Sequence, residues 1–288
     1  MMETRWMYHT SGSFPELREA ARGTCVIPMG CIEKHGLHMA LGTDIMIASR
    51  IAYMASQIET VAVFPDYIFG DVPERLNDRT EGSVTLPLST QLTLLEQLCD
   101  QIYLNGFRKI MIYNCHGGNQ FWLGAFLRDI ENRNKKYVVA NLFVGEQAPH
   151  TQAKYLEEHG RGSIPELTPE DEELLLRYHR EGMLVGHACF DEGSHIMAIA
   201  PETMRLDLLG KESGLPTGDA RPYRERGIEL KSNCWHLDYP HAYQGTDPYG
   251  MNERIGRATL RMEAERVARA IKFFKEDERL LADIDRKR

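Results

Sequence analysis

The chain has 288 residues, of which 42% are hydrophobic and 26% are charged, and its formal net charge is −8. This composition excludes a disordered or fibrous protein, because such chains lack the apolar residues of a packed core. The negative charge, without a block of lysines or arginines, argues against a nucleic-acid surface. We find no apolar run long enough to span a membrane and no signal-peptide pattern. We therefore expect a cytoplasmic globular protein with no nucleic-acid or membrane partner and with reduced thiols at its six cysteines.

Short apolar runs alternate with amphipathic stretches of helical length in the first half of the chain. Strands are predicted at 24–28, 60–65, 109–113 and 137–143, and helices at 44–57, from Ser89 or Thr90 to Gly106, and at 120–132. Strands that alternate with helices in this way form βαβ units with a parallel sheet. The predicted fold class is therefore α/β, and since we find no repeat and no linker, we predict one domain over residues 1–288.

Residues 145–183 interrupt this alternation with a polar stretch, which we interpret as an insertion that forms a lid or an interface. Within it, Thr168-Pro169-Glu170-Asp171 predicts a helix start, with Thr168 as the cap and acidic residues at the positive helix end. A short helix is predicted over 191–200. An irregular stretch rich in Gly, Pro and Tyr precedes a closing helix over 252–283.

The first cluster of candidate functional residues follows the strand predicted at 24–28. Glu33 and His35 are two residues apart, so they project to one side of an extended segment. Asp44, at the start of the next helix, can complete a set of oxygen and nitrogen ligands of the kind that divalent metals accept. The alternative is a loop whose histidine and acidic residues cap a helix and pair with surface charges.

Two further clusters stand where ligands bind in open α/β sheets or where a helix begins. His116 follows the strand at 109–113 and would point into the same crevice as the first cluster, while Gly117 and Gly118 allow close backbone approach and amides that hold an oxyanion. Glu192 and His195 are three residues apart and share one face of a helix, as metal-binding pairs do. The alternative for His116 is a histidine that only takes part in a turn. The alternative for Glu192 and His195 is an exposed acidic residue at a helix start and a surface histidine.

These segments resemble the signature motifs of the creatininase (creatinine amidohydrolase) family. The motifs are Glu33-x-His35-Gly-x-His38 with Thr43-Asp44, Asn114-x-His116-Gly-Gly-Asn119, and His187-Ala-x-x-x-Glu192-x-Ser194. Weaker matches, including the turn around Ser83, extend the resemblance over about residues 20–270. The resemblance implies a three-layer α/β/α fold with a mainly parallel sheet, and a homohexamer as the assembly.

The resemblance also implies a centre of two divalent ions per chain, Zn, Mn or Fe. The implied ligands are Glu33, His35, Asp44, His116 and Glu192, with Asp44 between the two ions. Glu192 replaces an acidic ligand that creatinine-cleaving members carry where this chain has Gly118. The catalytic candidates are His187, as a proton shuttle, and Glu192, and the candidates for substrate binding are Gly117, Gly118, His195 and Ser83.

The implied function is a metal-dependent hydrolase of a small cyclic or amide substrate, in which water activated by the ions attacks a carbonyl. Two alternatives are hydrolytic C–C ring opening of a diketo cyclitol and a non-catalytic metal-binding assembly protein. We expect creatinine to be a poor substrate, because no tryptophan stands in the insertion or just before His187, and Trp235 is interpreted as a core or interface residue. A hydroxyl-rich ring would suit His195, Asn77 and Arg79, unless Tyr155 or Tyr178 supplies an aromatic wall.

Overall fold

A computed structural model of the protein describes residues 2–72, 81–145, 148–229, 232–246 and 249–286. Four parallel strands form a sheet in the order β2-β1-β3-β4. They are β1 (Thr24–Met29), β2 (Ala62–Val63), β3 (Lys109–Asn114) and β4 (Val138–Phe143). The two central strands, β1 and β3, are buried along their whole length, as expected for a parallel sheet covered on both faces.

Helices cover both faces of this sheet. The helices in the described ranges are α1 (Phe14–Ala20), α2 (Thr43–Ile58), α3 (Leu88–Leu104), α4 (Gln120–Asn132), α5 (His150–His159), α6 (Pro169–Arg180), α7 (Phe190–Ile199), α8 (Arg221–Arg224), α9 (Ser232–Asp238), α10 (Glu253–Glu276) and α11 (Arg279–Arg286).

Alternating residues of the central strands pack into two separate hydrophobic cores, one on each face of the sheet. Val26 and Met111 pack with residues of α2, α7 and α10 on one face of the sheet. Ile27 and Ile112, one position further along each strand, pack with residues of α1, α3 and α4 on the other face. The result is the three-layer α/β/α sandwich that was predicted, and the prediction of the fold class is confirmed.

The predicted strands and helices are confirmed at their approximate positions, with three corrections. The strand expected at 60–65 pairs only over Ala62–Val63, and Pro65 follows soon after, without an N–H for a ladder. Ser89 and Thr90 do not cap α3, which begins at Leu88 after Pro87 and lacks a capping side chain. The closing helix is two helices, α10 and α11, separated at Asp277 and Glu278.

The segment read as an insertion contains a helix that the sequence did not predict, α5, as well as the predicted α6. Thr168 caps α6 as expected, since its side chain accepts from the backbone N–H of Asp171, whose carboxylate accepts from the N–H of Thr168 in return. Leu156 of α5 and Leu176 of α6 pack against Ala258 of α10. The segment is therefore joined to the sandwich through α10.

All six cysteines are free thiols, as expected. In the part of the chain that the structure describes, none of the helices combines the length and apolarity that a membrane crossing requires.

Candidate active site

The five predicted ligands come together at the carboxyl ends of β1 and β3. Glu33 and His35 lie in the loop after β1, and His116 lies just after β3. Asp44 is the second residue of α2, and Glu192 is the third residue of α7. All five side chains are buried, and all but His35 line a cavity of about 530 Å³.

Asp44 occupies the centre of this cluster. Its Oδ2 lies 2.8 Å from Nδ1 of His116, and its Oδ1 lies 3.2 Å from Nε2 of His35. Glu33 stands beside His116, with 3.0 Å between Oε1 and Nδ1, and Glu192 stands beside His35, with 3.7 Å between Oε2 and Nε2. The five side chains therefore form two groups of candidate ligands that share the Asp44 carboxylate.

Three histidines of the site, His35, His116 and His187, are oriented by backbone carbonyls. In each one, a ring nitrogen donates to a carbonyl oxygen, so the other nitrogen is turned toward the acidic cluster without a proton when the ring is neutral. The bonds are Nδ1 of His35 to Glu33 (3.2 Å), Nε2 of His116 to Asp71 (2.8 Å) and Nε2 of His187 to Lys34 (2.7 Å).

The pKa values of the cluster reflect burial opposed by close opposite charges. Burial opposes ionisation of Glu33, but the His116 imidazole outweighs it and lowers the pKa of Glu33 to about 2. His35 likewise holds the pKa of Asp44 well below its usual range, despite burial. Burial alone would lower the pKa of His35, yet the Asp44 carboxylate raises it to about 9. For Glu192 burial dominates and raises the pKa to about 8.

His187 differs from His35 because its pKa is lowered, to about 4, first by burial and then by the charge of His35. Its Nδ1 lies 3.7 Å from Oε1 of Glu33, and its ring is tilted by 36° to that of His35, with 4.2 Å between centroids. His187 is therefore neutral at pH 7 and has a free nitrogen that can accept a proton.

The donor set fits divalent metal ions. Within each group the ligand atoms lie within 4.8 Å of one another, and they are the oxygens and imidazole nitrogens that such ions accept. The buried Oε1 of Glu33 lies 3.0 Å from Nδ1 of His116, but not in the alignment of a regular hydrogen bond. Among the described residues that line the cavity there is no lysine or arginine to balance the carboxylates. A cation at this place would lie among carboxylate oxygens and imidazole nitrogens that are already gathered within reach of one another.

Cys31 is a neighbour of this centre that the sequence analysis missed. It belongs to the same group as Glu33, Asp44 and His116, and its Sγ donates to Oδ2 of Asp44 at 3.2 Å. Burial holds the pKa of the Cys31 thiol well above its usual range. Cys31 is thus a further candidate ligand of this group, and its thiol contacts the carboxylate of Asp44.

The cavity wall corrects the interpretation of Trp235 as a core or interface residue. Trp235 lines the cavity, its Nε1 donates to Oε1 of Gln244 at 2.6 Å, and its ring meets that of His187 edge to face at 5.5 Å. Tyr155 and Tyr178 are not among the lining residues. An aromatic wall is present, so the reason given for poor creatinine turnover does not hold.

Other lining residues were also missed, because none of them belongs to the three motifs. They are Phe121, Phe143, Val144, Gly145, His150, Val185, His236 and Gln244. Phe121 and Val185 lie two residues from the motifs, and residues 143–145 lie at the carboxyl end of β4, where the position alone could have pointed to the cavity. His150, His236 and Gln244 reach the cavity only through the folded chain.

The candidates for substrate binding fall into two sets. Gly117 and Gly118 line the cavity. His195 and Ser83 do not: Nδ1 of the buried His195 donates to the carbonyl of Asp191 at 2.9 Å, and Oγ of Ser83 accepts from the N–H of Lys34 at 3.2 Å. Asn77 and Arg79 lie outside the described residues.

The fold and the site define a three-layer α/β protein with a candidate two-metal centre at the carboxyl edge of its sheet. The profile of the creatininase family, described as creatinine amidohydrolase, matches residues 10–271. The chain belongs to the creatininase family.

Solved structures of creatininases share the fold at low identity. A crystal structure of creatinine amidohydrolase (creatininase) superposes with a TM-score of 0.69 and 16% identity, over 96% of this chain and 100% of that one. Other structural relatives are described as a Zn-Zn type mutant creatininase and as a Mn creatininase.

Two curated relatives match part of the chain. The creatinine amidohydrolase of Pseudomonas putida is 23% identical over 38% of this chain and 43% of its own length. The 2-amino-5-formylamino-6-ribosylaminopyrimidin-4(3H)-one 5'-monophosphate deformylase of Methanocaldococcus infernus is 34% identical over 36% of this chain and 45% of its own length. The matched stretch thus spans less than half of either relative.

Proposed function

We propose that the protein is a metal-dependent hydrolase of a small cyclic or amide substrate. The observation that carries the proposal is the Asp44 carboxylate, whose two oxygens face different histidines, His116 and His35, in a buried acidic cluster that lines the cavity. Carboxylates that link two ions are typical of two-metal hydrolytic sites. The curated relatives, an amidohydrolase and a deformylase, support the same reaction class.

Two ions, Zn, Mn or Fe, would each have a group of ligands in this arrangement. Glu33, His116 and one oxygen of Asp44 would hold the first, and His35, Glu192 and the other oxygen of Asp44 would hold the second. Ions so placed lower the pKa of a bound water and polarise a carbonyl group of the substrate.

The proton transfers fall to His187. Its Nε2 is held by the carbonyl of Lys34, so the free Nδ1 takes the proton of the attacking water as the new C–O bond forms. The same nitrogen then gives that proton to the leaving nitrogen as the C–N bond breaks. The backbone amides of Gly117 and Gly118, which line the cavity, would hold the charge that develops on the carbonyl oxygen.

An Asp44→Asn variant tests the proposal, because it removes the shared charge and keeps the shape. Metal analysis of the wild-type protein should give between one and two ions per chain, and the variant should lose most of them together with hydrolysis of small lactams and formamides. Asp66→Asn, at an exposed carboxylate, is the control and should retain both. A full metal content in Asp44→Asn would contradict the proposal, and a wild-type protein loaded with metal but inactive on every amide would favour the non-catalytic alternative.

A further inference from the structure

His236 lies in the cavity wall directly after Trp235, on α9. Both of its ring nitrogens are shielded from solvent, and neither makes a hydrogen bond with any residue that the structure describes. The carboxylate of Glu33 is near enough to act on the charge of this ring, so His236 shares the cavity with the acidic cluster.

A half-buried imidazole with two unpaired nitrogens costs stability, because each polar atom has lost its water without gaining a partner. His9, another half-buried histidine, avoids this cost. Its Nδ1 is bonded to Oγ of Ser13 at 3.1 Å and its Nε2 to the carbonyl of Glu3 at 2.8 Å. Such a cost is expected where a protein reserves polar atoms for a ligand.

The surroundings of His236 indicate what that ligand is. The neighbouring Trp235 offers an indole ring to the cavity, and its only N–H is taken by Gln244, so it can supply a flat apolar wall but no hydrogen bond to a ligand. A ring lying on Trp235 would therefore have to satisfy its polar substituents elsewhere. His236 is the adjacent side chain with hydrogen-bonding capacity to spare.

We propose that His236 contacts the substrate and selects a ring that carries a hydroxyl, or a similar group that both donates and accepts, away from the reacting carbonyl. The proposal rests on the proposed function for the position of that carbonyl beside the acidic cluster. Burial lowers the pKa of His236, which keeps the imidazole neutral with one donor and one acceptor. A turn of the His236 side chain toward the cavity would bring a ring nitrogen, with or without the proton, to a hydroxyl of the ligand.

The first test is the stability of the ligand-free, metal-loaded protein. His236→Phe keeps a flat ring of similar size and removes two unpaired polar atoms, so it should raise Tm by about 2–4 °C. The matched control is His9→Phe, which breaks two hydrogen bonds at a half-buried histidine far along the chain and should lower Tm. A fall in Tm for His236→Phe would show that the ring has partners in the free protein and would overturn the proposal.

The second test is selectivity, measured as Kd by calorimetry on the metal-loaded protein, without turnover. The probes are a polyhydroxylated cyclohexanone with unsubstituted cyclohexanone, and 4-hydroxy-2-pyrrolidinone with 2-pyrrolidinone. In His236→Phe the affinity for the hydroxylated member of a pair should fall about 10-fold or more, while that for the plain ring should stay within about 2-fold. His236→Gln, which keeps a donor and an acceptor, should retain part of the preference.

Equal losses for both members of a pair, or a wild-type protein without preference for the hydroxylated ring, would overturn the role of His236. Neither result would contradict the proposed function, because that function is tested separately by metal content and by hydrolysis of simple amides. Conversely, an inactive wild-type protein that still showed the Tm and Kd pattern would retain the binding role and contradict the hydrolase.

Discussion

Gly117 and Gly118 are neighbours in the loop after β3, yet they differ in the room they leave for a side chain. A Cβ at Gly118 would lie 2.5 Å from both the carbonyl oxygen of Asp71 and Nε2 of His116, which are bonded to each other. A Cβ at Gly117 would meet nothing within 4 Å. Gly118→Ala should therefore turn His116 away from Asp44 and weaken metal binding about 10–100-fold, the usual cost of a lost partner behind a metal ligand.

Competition with a chelator of known affinity measures this effect, and Gly117→Ala is the control, for which we expect unchanged metal affinity. Equal affinities for the two variants would show that the bond between His116 and Asp71 does not orient a ligand. The same clash shows that an acidic side chain would not fit at Gly118 without a shift of the loop.

His187 and His116 should respond in opposite ways to truncation. His187→Ala should keep the metal ions but lower kcat roughly 10²–10⁴-fold, because it removes a positioned acid–base group. His116→Ala should lose metal, because Nδ1 of His116 lies between the carboxylates of Glu33 and Asp44. Metal analysis beside steady-state kinetics separates the two roles, and a metal-depleted His187→Ala would make that residue a ligand.

At the scale of elements, Asp171 ties the start of α6 to the start of α10. Its carboxylate accepts from Thr168, from Nδ2 of Asn252 at 3.0 Å and from Nε of Arg254 at 2.6 Å, and it is buried. Asp171→Asn should lower the free energy of unfolding by about 1–3 kcal/mol, because charged hydrogen bonds are lost and buried donors are left unpaired. Glu170→Gln, exposed in the same turn, is the control and should stay within about 0.5 kcal/mol of the wild type.

The same carboxylate should make part of the stability depend on pH. Burial opposes its ionisation, but the hydrogen bond from Arg254 outweighs this and lowers the pKa of Asp171 below its ordinary 3.8. A carboxyl with a lowered pKa stabilises the fold above its ordinary pKa and loses that contribution as the pH falls through the folded value. The difference in unfolding free energy between wild type and Asp171→Asn should thus be constant above about pH 5 and shrink below 3.8 in denaturant titrations, and a constant difference down to pH 2 would rule out the pairing.

Helices and strands with a strong hydrophobic period could be predicted from the sequence, but the residues at which they end could not. The amphipathic stretch after residue 252 was predicted to continue to 283, but Oδ1 of Asp277 accepts from the backbone N–H of Arg279 at 2.9 Å. This bond gives the backbone an alternative to the helix and starts α11. Likewise, α8 and α9 lie in the irregular stretch because they are too short for a hydrophobic period to appear.

At the scale of the whole molecule, the predictable part of the site is the part that the sheet itself assembles. Parallel strands end at one edge, so residues just after β1 and β3 had to meet, and Glu33, His35 and His116 did so. Trp235 and His236 reach the same cavity from α9, far along the chain from every motif. Their position depends on long-range packing, which no local pattern encodes, and for the same reason the sequence could not predict the aromatic wall of the cavity.

We expect the protein to assemble into a closed homo-oligomer. The resemblance to the family implies that this oligomer is a hexamer. A closed symmetric assembly has a fixed number of subunits, so sedimentation equilibrium should give one mass, a whole multiple of 33.0 kDa, over a range of micromolar concentrations. Large apolar side chains that are more than half exposed in the single chain, such as Leu104, Phe121 and Phe273, would then lose part of that exposure. Phe121 is the most informative of these, because it also lines the cavity: a neighbouring subunit that covered it would close part of the cavity mouth. A mass of 33.0 kDa at micromolar concentration would contradict the prediction, and the cavity would then be formed by one chain alone.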